Sequence, residues 1–191
     1  MTQTNPVMDF LLTRRSPPAG ALSLPAPEGA ALEQLLTAAL RVPDHGGLEP
    51  WRLLVIESAA RPRLAALLRE RGPILGIPPE KIEKSAQSWL KAPLIVAVVA
   101  SPVESQKAPL PEQLHSAGAV CLSLVNAALA SGWGAAWITG WAAFDPGFTG
   151  PGLGLADHES IAGFIHLGSV ANPTPDRPRP DLSRRVARIA Q

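Results

Sequence analysis

A chain of 191 residues, 46% apolar and only 17% charged, can bury the core of one domain, which excludes wholesale disorder. A formal net charge of +1 offers no basic face for nucleic acid or an anionic membrane. The single cysteine, Cys121, excludes an internal disulfide and a cysteine-based zinc site, and its apolar neighbours mark it as a buried small hydrophobe.

In chain order, the opening Met-Thr-Gln-Thr-Asn-Pro has no basic stretch followed by an apolar one, so a cytoplasmic protein is expected. Val7 to Arg14 reads as a short helix with Val7, Met8, Leu11 and Leu12 along one side, ended by Ser-Pro-Pro. Glu28 to Val42 reads as an amphipathic helix, with Leu32, Leu35, Leu36, Ala39 and Leu40 at helical spacing and Pro43 as its stop. Arg52 to Glu57 reads as a strand. Pro62 to Arg71 and Pro79 to Lys91 read as helices with proline in the first turn. Leu94 to Ala100 is β-branched and apolar, a strand buried on both faces. Pro111 to Ser131 is a long helix, apolar all round, and should be covered on every side. Ala135 to Thr139 reads as a strand, Asp145 to Leu155 as turns with a helical turn, and Ser160 to Gly168 as a strand. Asn172 to Pro180 holds four prolines and is expected to be an extended arm. Leu182, Val186 and Ile189 then predict a short docked helix. Helices alternating with strands give an α/β or α+β sandwich, a sheet between helices, with the strand order left open.

Familiar chemical signatures are missing. There is no Gly-x-Gly-x-x-Gly, no phosphate loop ending in Gly-Lys-Ser/Thr and no Gly-x-Ser-x-Gly elbow. The four histidines, His45, His115, His158 and His166, show no His-x-x-x-His pair, so no metal site is assigned. No pair of carboxylates stands out for acid–base work, so no catalytic side chain is assigned.

Two segments carry unexplained chemistry. Arg14, Arg15 and Ser16 close a helix and enter a turn, where two planar guanidiniums, a hydroxyl and a free N–H could take a phosphate. Arginines at that place can also simply complement the helix dipole. The loop Arg41 to Trp51 carries a cation, an imidazole, two glycines and an indole between a helix and a strand. A solvated arginine, a satisfied loop histidine and a packed tryptophan would account for it as well. Gly132 to Gly140 allows either a planar ligand close to backbone or a tight helix–strand turn.

Taken in order, these segments resemble the nitroreductase family, and its short members in particular. The resemblance rests on Arg14-Arg15-Ser16 and on Pro43-Asp44-His45-x-x-x-x-Pro50-Trp51. It also rests on Ala92 to Val99, on Ser116 to Gly134, and on Ile161-Ala-Gly-Phe-Ile-His-Leu-Gly-Ser169. It implies a nitroreductase-like domain over residues 1–170 with a mainly antiparallel central sheet, followed by a proline-rich arm over 171–191. It implies an intertwined homodimer with FMN at the interface. On matching positions, Arg14, Arg15 and Ser16 would hold the FMN phosphate, and Arg41 and His45 would reach the flavin from the other subunit. Trp137, Ile138, Thr139 and Gly140 would line the ring system, and Ala127 to Gly132 would approach the nicotinamide cofactor.

The implied activity is ping-pong hydride transfer from NAD(P)H through flavin N5 to a nitro or quinone acceptor, with no nucleic-acid or membrane partner. The alternatives are a flavoprotein of the same fold doing dehalogenation or flavin fragmentation, or a non-catalytic flavin-binding module. Three departures from the family's pattern stand out. Pro18 and Ala19 replace the usual base near flavin N1 and O2. Glu49 replaces the usual glutamine and is expected to pair with an arginine. The C-terminal arm diverges, and its Arg177 and Arg179 stand either as phosphate contacts or as a solvated tail.

Overall fold

The computed structural model describes residues 5–190; Met1 to Thr4, on which the expected lack of a leader rests, and Gln191 lie outside the described residues. Asn5 starts helix α1 (Pro6–Thr13) by accepting hydrogen bonds from the N–H groups of Val7 and Met8 at 3.0 and 3.3 Å. That cap, with Pro6 in the first turn, satisfies two N–H groups that no helical carbonyl can reach. No residue of α1 is buried, and Val7, Met8, Leu11 and Leu12 all stand open.

The elements that follow are β1 (Leu22–Ser23), α2 (Gly29–Ala39), β2 (Trp51–Ile56), α3 (Arg61–Ile74), α4 (Pro79–Lys91) and β3 (Leu94–Ala100). Then come α5 (Leu110–Ala130), β4 (Gly134–Ile138), α6 (Pro146–Leu153) and β5 (Ser160–Val170). The strands form one five-stranded sheet in the order β1-β5-β3-β2, with β4 also paired to β5. Every pairing is antiparallel. β5 organises the sheet: it runs along β3 from Ser160 to Leu167, along β4 from Phe164 to Gly168, and meets β1 at Ser169 and Val170. The register with β3 shifts between Val98 and Val99, where Ala162 is left as the extra residue of a bulge.

β3 is buried at every position and divides the core in two. Leu94, Val96 and Val98 face α2 and α5, packing with Leu35, Val120, Leu124 and Ile165. Ile95, Ala97 and Val99 face α3, α4 and α6, packing with Leu64, Leu68, Trp89 and Phe148. Trp89 meets Phe148 and Phe164 edge-on at 5.4 and 5.1 Å. The α3 and α4 helices approach closely at Gly72, where a Cβ would lie 2.4 Å from Ile82 Cγ1. Arg61 joins the start of α3 to the α4–β3 link by donating to the carbonyls of Ala92 and Pro93.

Three expectations need correction. First, α5 is not covered on every side. Its inner face is fully buried through Val120, Cys121, Leu124 and Ala128, but Leu114 and Leu122 are 41% and 47% exposed. Apolar composition reports that a face wants cover, not that the same chain supplies it. The length and composition of α5 would also suit a membrane span, yet its inner face packs on the sheet of this domain. Second, Asp145 to Leu155 holds more than a single turn. Asp145 caps α6 by accepting from the N–H of Gly147 at 3.1 Å, and its carboxylate also takes a two-pronged bond from Arg71 at 2.8 and 2.9 Å. Third, no docked terminal helix forms. Only Leu182–Arg184 makes a 3-10 turn, and Leu182, Val186 and Ile189 are exposed, the last at 93%.

Candidate flavin and phosphate site

The end of α1 and the C-terminal arm meet. Arg14, Arg15, Ser16, Pro17 and Pro18 line one wall of a cleft of about 610 Å³, and Thr174, Pro175, Asp176, Arg177 and Arg179 line the other. The pairing follows from the fold. β5 carries the chain to Val170, directly beside Leu22, so the arm leaves the sheet next to the segment that follows the arginine turn. An extended chain puts residues i and i+2 on one side, so Arg177 and Arg179 can face the same cleft across Pro178. The arm therefore does not stand as a purely solvated tail.

Contacts within the cleft are polar. Arg14 donates from Nη2 to Ser16 Oγ at 3.1 Å. Arg15 donates from Nε to the Pro175 carbonyl at 3.0 Å and lies 3.6 Å from Asp176 Oδ1. Arg179 donates to the same Asp176 oxygen at 2.7 Å. The Nε of Arg14 is buried without a partner. Burial lowers the Arg14 guanidinium below its ordinary range, and the nearby charges of Arg179, Arg15 and Arg177 lower it further. A group crowded by cations in this way is relieved by an anion. Four guanidiniums converge on a space that holds one carboxylate.

Trp137, Ile138, Thr139 and Gly140 do not line this cleft; they lie at the end of β4 away from Gly134. A Cβ on Gly134 would lie 2.2 Å from Val170 Cγ2 and 2.5 Å from Leu22 Cδ2, so β4 starts against the two residues from which both cleft walls depart. From there it runs through Trp137 and Ile138 to Thr139 and Gly140. Trp137 is 44% exposed. Its indole N–H donates to the Ala162 carbonyl at 3.2 Å. The ring lies over Gly163, where a Cβ would be 2.1 Å from Nε1. Gly140 has φ +71°, which side-chain-bearing residues rarely adopt, and open space lies where its Cβ would be. Backbone beyond β4 is thus available to a flat ligand.

Arg41 and His45 do not join this cleft within one chain. α2 ends at Ala39, and Arg41 is exposed. The loop after it is tied to α5 instead. His45 Nδ1 lies 2.8 Å from Glu112 Oε2, with both side chains more than half exposed. Asp44 accepts from the N–H groups of Leu48 and Glu49 at 3.1 and 2.8 Å, closing the loop on itself. Trp51 donates from Nε1 to Ser116 Oγ at 3.0 Å, and Ser116 donates in turn to the Pro43 carbonyl at 2.7 Å. Glu49 is exposed with φ +47°, a strained value for a residue with a side chain. The expected arginine partner is absent: Glu49 forms no ion pair among the described residues.

Sequence reasoning missed several of these participants. Asp176 and Thr174 gave no signal in a proline-rich stretch. Ser116 and Glu112 looked like ordinary polar positions of a long helix. His166 is buried in β5, and desolvation pushes it down to about 4. Cys121 is buried as expected, and burial pushes its thiol up to about 12, so it is not a nucleophile. A larger cleft of about 940 Å³, lined by Leu24, Pro25, Leu32, Val55 and Leu90 among others, contains none of the predicted site residues.

A model of the nitroreductase family matches residues 23–169. The chain belongs to the nitroreductase family. It is an oxidoreductase of that family, with the nitroreductase-like α+β fold. The matched range begins after the arginine turn and ends before the arm, so both walls of the arginine cleft lie outside it. The chain is 35% identical over 178 residues to an Escherichia coli K12 protein provisionally named NAD(P)H nitroreductase YdjA, covering 88% of this chain and 96% of the relative. A Haemophilus influenzae protein, provisionally named an NAD(P)H nitroreductase, is 35% identical over 135 residues, covering 70% of this chain and 72% of its own. Among solved structures, a nitroreductase-like family protein from Bacillus cereus superposes over the whole of both chains with a TM-score of 0.80 at 21% identity. An FMN-dependent nitroreductase from Clostridium difficile R20291 superposes with a TM-score of 0.70 at 19% identity, over 96% of this chain and 99% of that one.

Proposed function

We propose that this nitroreductase-family protein is an FMN-dependent NAD(P)H oxidoreductase acting as a cytoplasmic homodimer on nitro or quinone acceptors. The observation that carries the proposal is the arginine cleft, lined by four arginines, in which the buried Nε of Arg14 has no partner and the one carboxylate among the described lining residues, Asp176, pairs only with Arg15 and Arg179. A phosphate monoester, with a charge of about −1.5 to −2 near neutral pH and three acceptor oxygens, fits that donor set. Residues 1–170 form the flavin domain on this view, and residues 171–191 are the arm that closes its phosphate end.

In the proposed site Arg14, Arg15 and Ser16 bind the FMN phosphate from one wall, and Arg177 and Arg179 from the other. Trp137, Ile138, Thr139 and Gly140 line the ring system with backbone and side chain. Arg41 and His45, held out on a loop braced against α5, serve the site of the partner subunit. Two apolar surfaces support a dimer: the open side of α1 and the Leu114–Leu122 stripe of α5. Ala127 to Gly132, the turn out of α5, is the proposed approach for the nicotinamide. FMN, when bound, supplies hydride transfer in two alternating half-reactions, and the protein supplies orientation and charge. No side chain is assigned as acid or base, and Pro18 and Ala19 offer none near the ring.

That last point, with the exposed carboxylate of Glu49, favours one second reading: a flavin-binding module without turnover. Anaerobic titration separates the two. The protein loaded with FMN should be yellow and should bleach on adding NADH or NADPH. Yellow protein that neither nucleotide bleaches would overturn the enzymatic proposal in favour of the module. Product analysis with a nitroaromatic, a quinone and a halogenated phenol then identifies the acceptor class.

A further inference from the structure

We infer that Asp176 is a built-in anion that occupies the arginine cleft until a phosphate displaces it, which makes the C-terminal arm a phosphate-responsive gate. The inference rests on the assignment of this cleft to the FMN phosphate. Among the described residues Asp176 is the only carboxylate on the cleft walls, beside Arg177 and Arg179 on the arm and opposite Arg14 and Arg15. Burial does not fix its position, because its side chain is 70% exposed. What fixes it is a pair of guanidiniums from opposite walls, Arg179 at 2.7 Å and Arg15 at 3.6 Å. Its oxygen therefore stands where a phosphate oxygen would accept from the same groups.

The bridge also joins the arm to the body. Arg15 reaches across the cleft to both the Pro175 carbonyl and the Asp176 carboxylate. A carboxylate carries one charge, and a phosphate monoester carries nearly two with one more oxygen, so the phosphate is the stronger ligand for the arginines. Asp176 must still move or remain as a repelling neighbour when phosphate enters. Either way it lowers the affinity for phosphate-bearing ligands and leaves riboflavin, which has no phosphate, unaffected.

The test titrates the wild type, Asp176→Asn and Asp176→Glu with FMN, riboflavin and inorganic phosphate at low salt, by flavin fluorescence and calorimetry. Asp176→Asn is expected to lower the Kd for both FMN and phosphate by about two- to fivefold, the range for a largely exposed charge contact. Asp176→Glu, which keeps the charge, should stay near wild type, and riboflavin should not distinguish the three. High salt should shrink the difference. Unchanged or weaker binding of FMN and phosphate in Asp176→Asn would overturn the inference, as would a parallel shift for riboflavin. A wild type that binds FMN with no effect of Asp176→Asn removes the gate alone. A wild type that binds neither FMN nor phosphate removes the cofactor assignment and the gate together.

Discussion

The indole N–H of Trp137 donates to the Ala162 carbonyl at 3.2 Å, at the bulge where β5 slips against β3. The bulge leaves that carbonyl outside the β3 ladder, and the indole takes it up. Gly163 beside it provides the room for the ring, since a Cβ there would lie 2.1 Å from Nε1. The exposed face of Trp137 is thus a fixed surface at the proposed ring site. Gly163→Ala should drive the indole off and weaken FMN binding several-fold. Trp137→Phe, which keeps a ring but loses the hydrogen bond, should cost about 0.5–1.5 kcal/mol of stability. Urea unfolding and flavin titration of both variants check this; wild-type FMN affinity in Gly163→Ala would remove Trp137 from the site.

Ser116 holds the loop of His45 to α5 by accepting from Trp51 and donating to Pro43. Ser116 is buried, so Ser116→Ala leaves an indole N–H and a carbonyl without their partner. The expected loss is about 1–3 kcal/mol in urea unfolding. If the loop serves the neighbouring subunit's flavin, FMN dissociation should also quicken. Loss of stability with unchanged dissociation would confine Ser116 to a structural role.

Much of this fold was legible because local chemistry and tertiary need agreed. Pro79 opens α4 and Ala92-Pro93 closes it, so Pro79–Lys91 could be read to the residue. Leu94–Ala100 is apolar on both faces because both faces are buried. The C-terminal helix failed for the converse reason. Leu182, Val186 and Ile189 have helical spacing but are not buried against any of the described residues, and spacing alone does not stabilise so short a helix. The strand order and the Ala162 bulge depend on pairings between distant strands, which no local pattern records. Half of the arginine cleft was legible for the same kind of reason: Arg14, Arg15 and Ser16 form a motif. Arg177 and Arg179 stand as open alternatives in the sequence and Asp176 gives no signal; their place in the cleft depends on β5 delivering the arm to Leu22, a pairing between segments far apart in the chain.

His166 predicts an acid-sensitive step. Its ordinary pKa is 6.5, and burial pushes it down to about 4 in the fold. Between those values the unfolded chain binds a proton that the folded chain refuses. Its contribution is therefore fully present above pH 6.5 and is lost as pH falls toward about 4. The loss should be on the order of 1–3 kcal/mol. His166→Met should remove that slope in urea midpoints measured across the window. A lower slope, from 4.5 down to about 2, should survive in the variant, because the Arg52 hydrogen bonds hold Glu159 low independently.

The exposed stripe of α5 predicts assembly. Leu122 is 47% exposed on a helix whose opposite face is fully buried. A carboxylate there would have to be desolvated in any interface. If the proposed dimer uses this stripe, Leu122→Glu should shift the protein from dimer to monomer in analytical ultracentrifugation and weaken FMN binding in parallel, because Arg41 and His45 are proposed to serve the partner's site. A variant that stays dimeric with full FMN would move the interface elsewhere.

Arg14 and Arg69 offer the sharpest comparison for the phosphate assignment. Both are arginines with a close polar partner, yet their surroundings differ. Arg69 makes a two-pronged exposed pair with Glu83 at 2.8 and 2.9 Å, so its charge is already matched. Arg14 has only the Ser16 hydroxyl, other arginines around it and a buried Nε without a partner. Arg14→Ala should therefore weaken FMN binding by roughly ten- to a hundredfold, the equivalent of one charge-assisted contact. Ser16→Ala should weaken it less, and Arg69→Ala should leave it unchanged. Riboflavin should bind the wild type and Arg14→Ala alike, because it lacks the phosphate that Arg14 is assigned to hold. Equal losses in Arg14→Ala and Arg69→Ala would mean that overall charge, not this cleft, governs flavin binding.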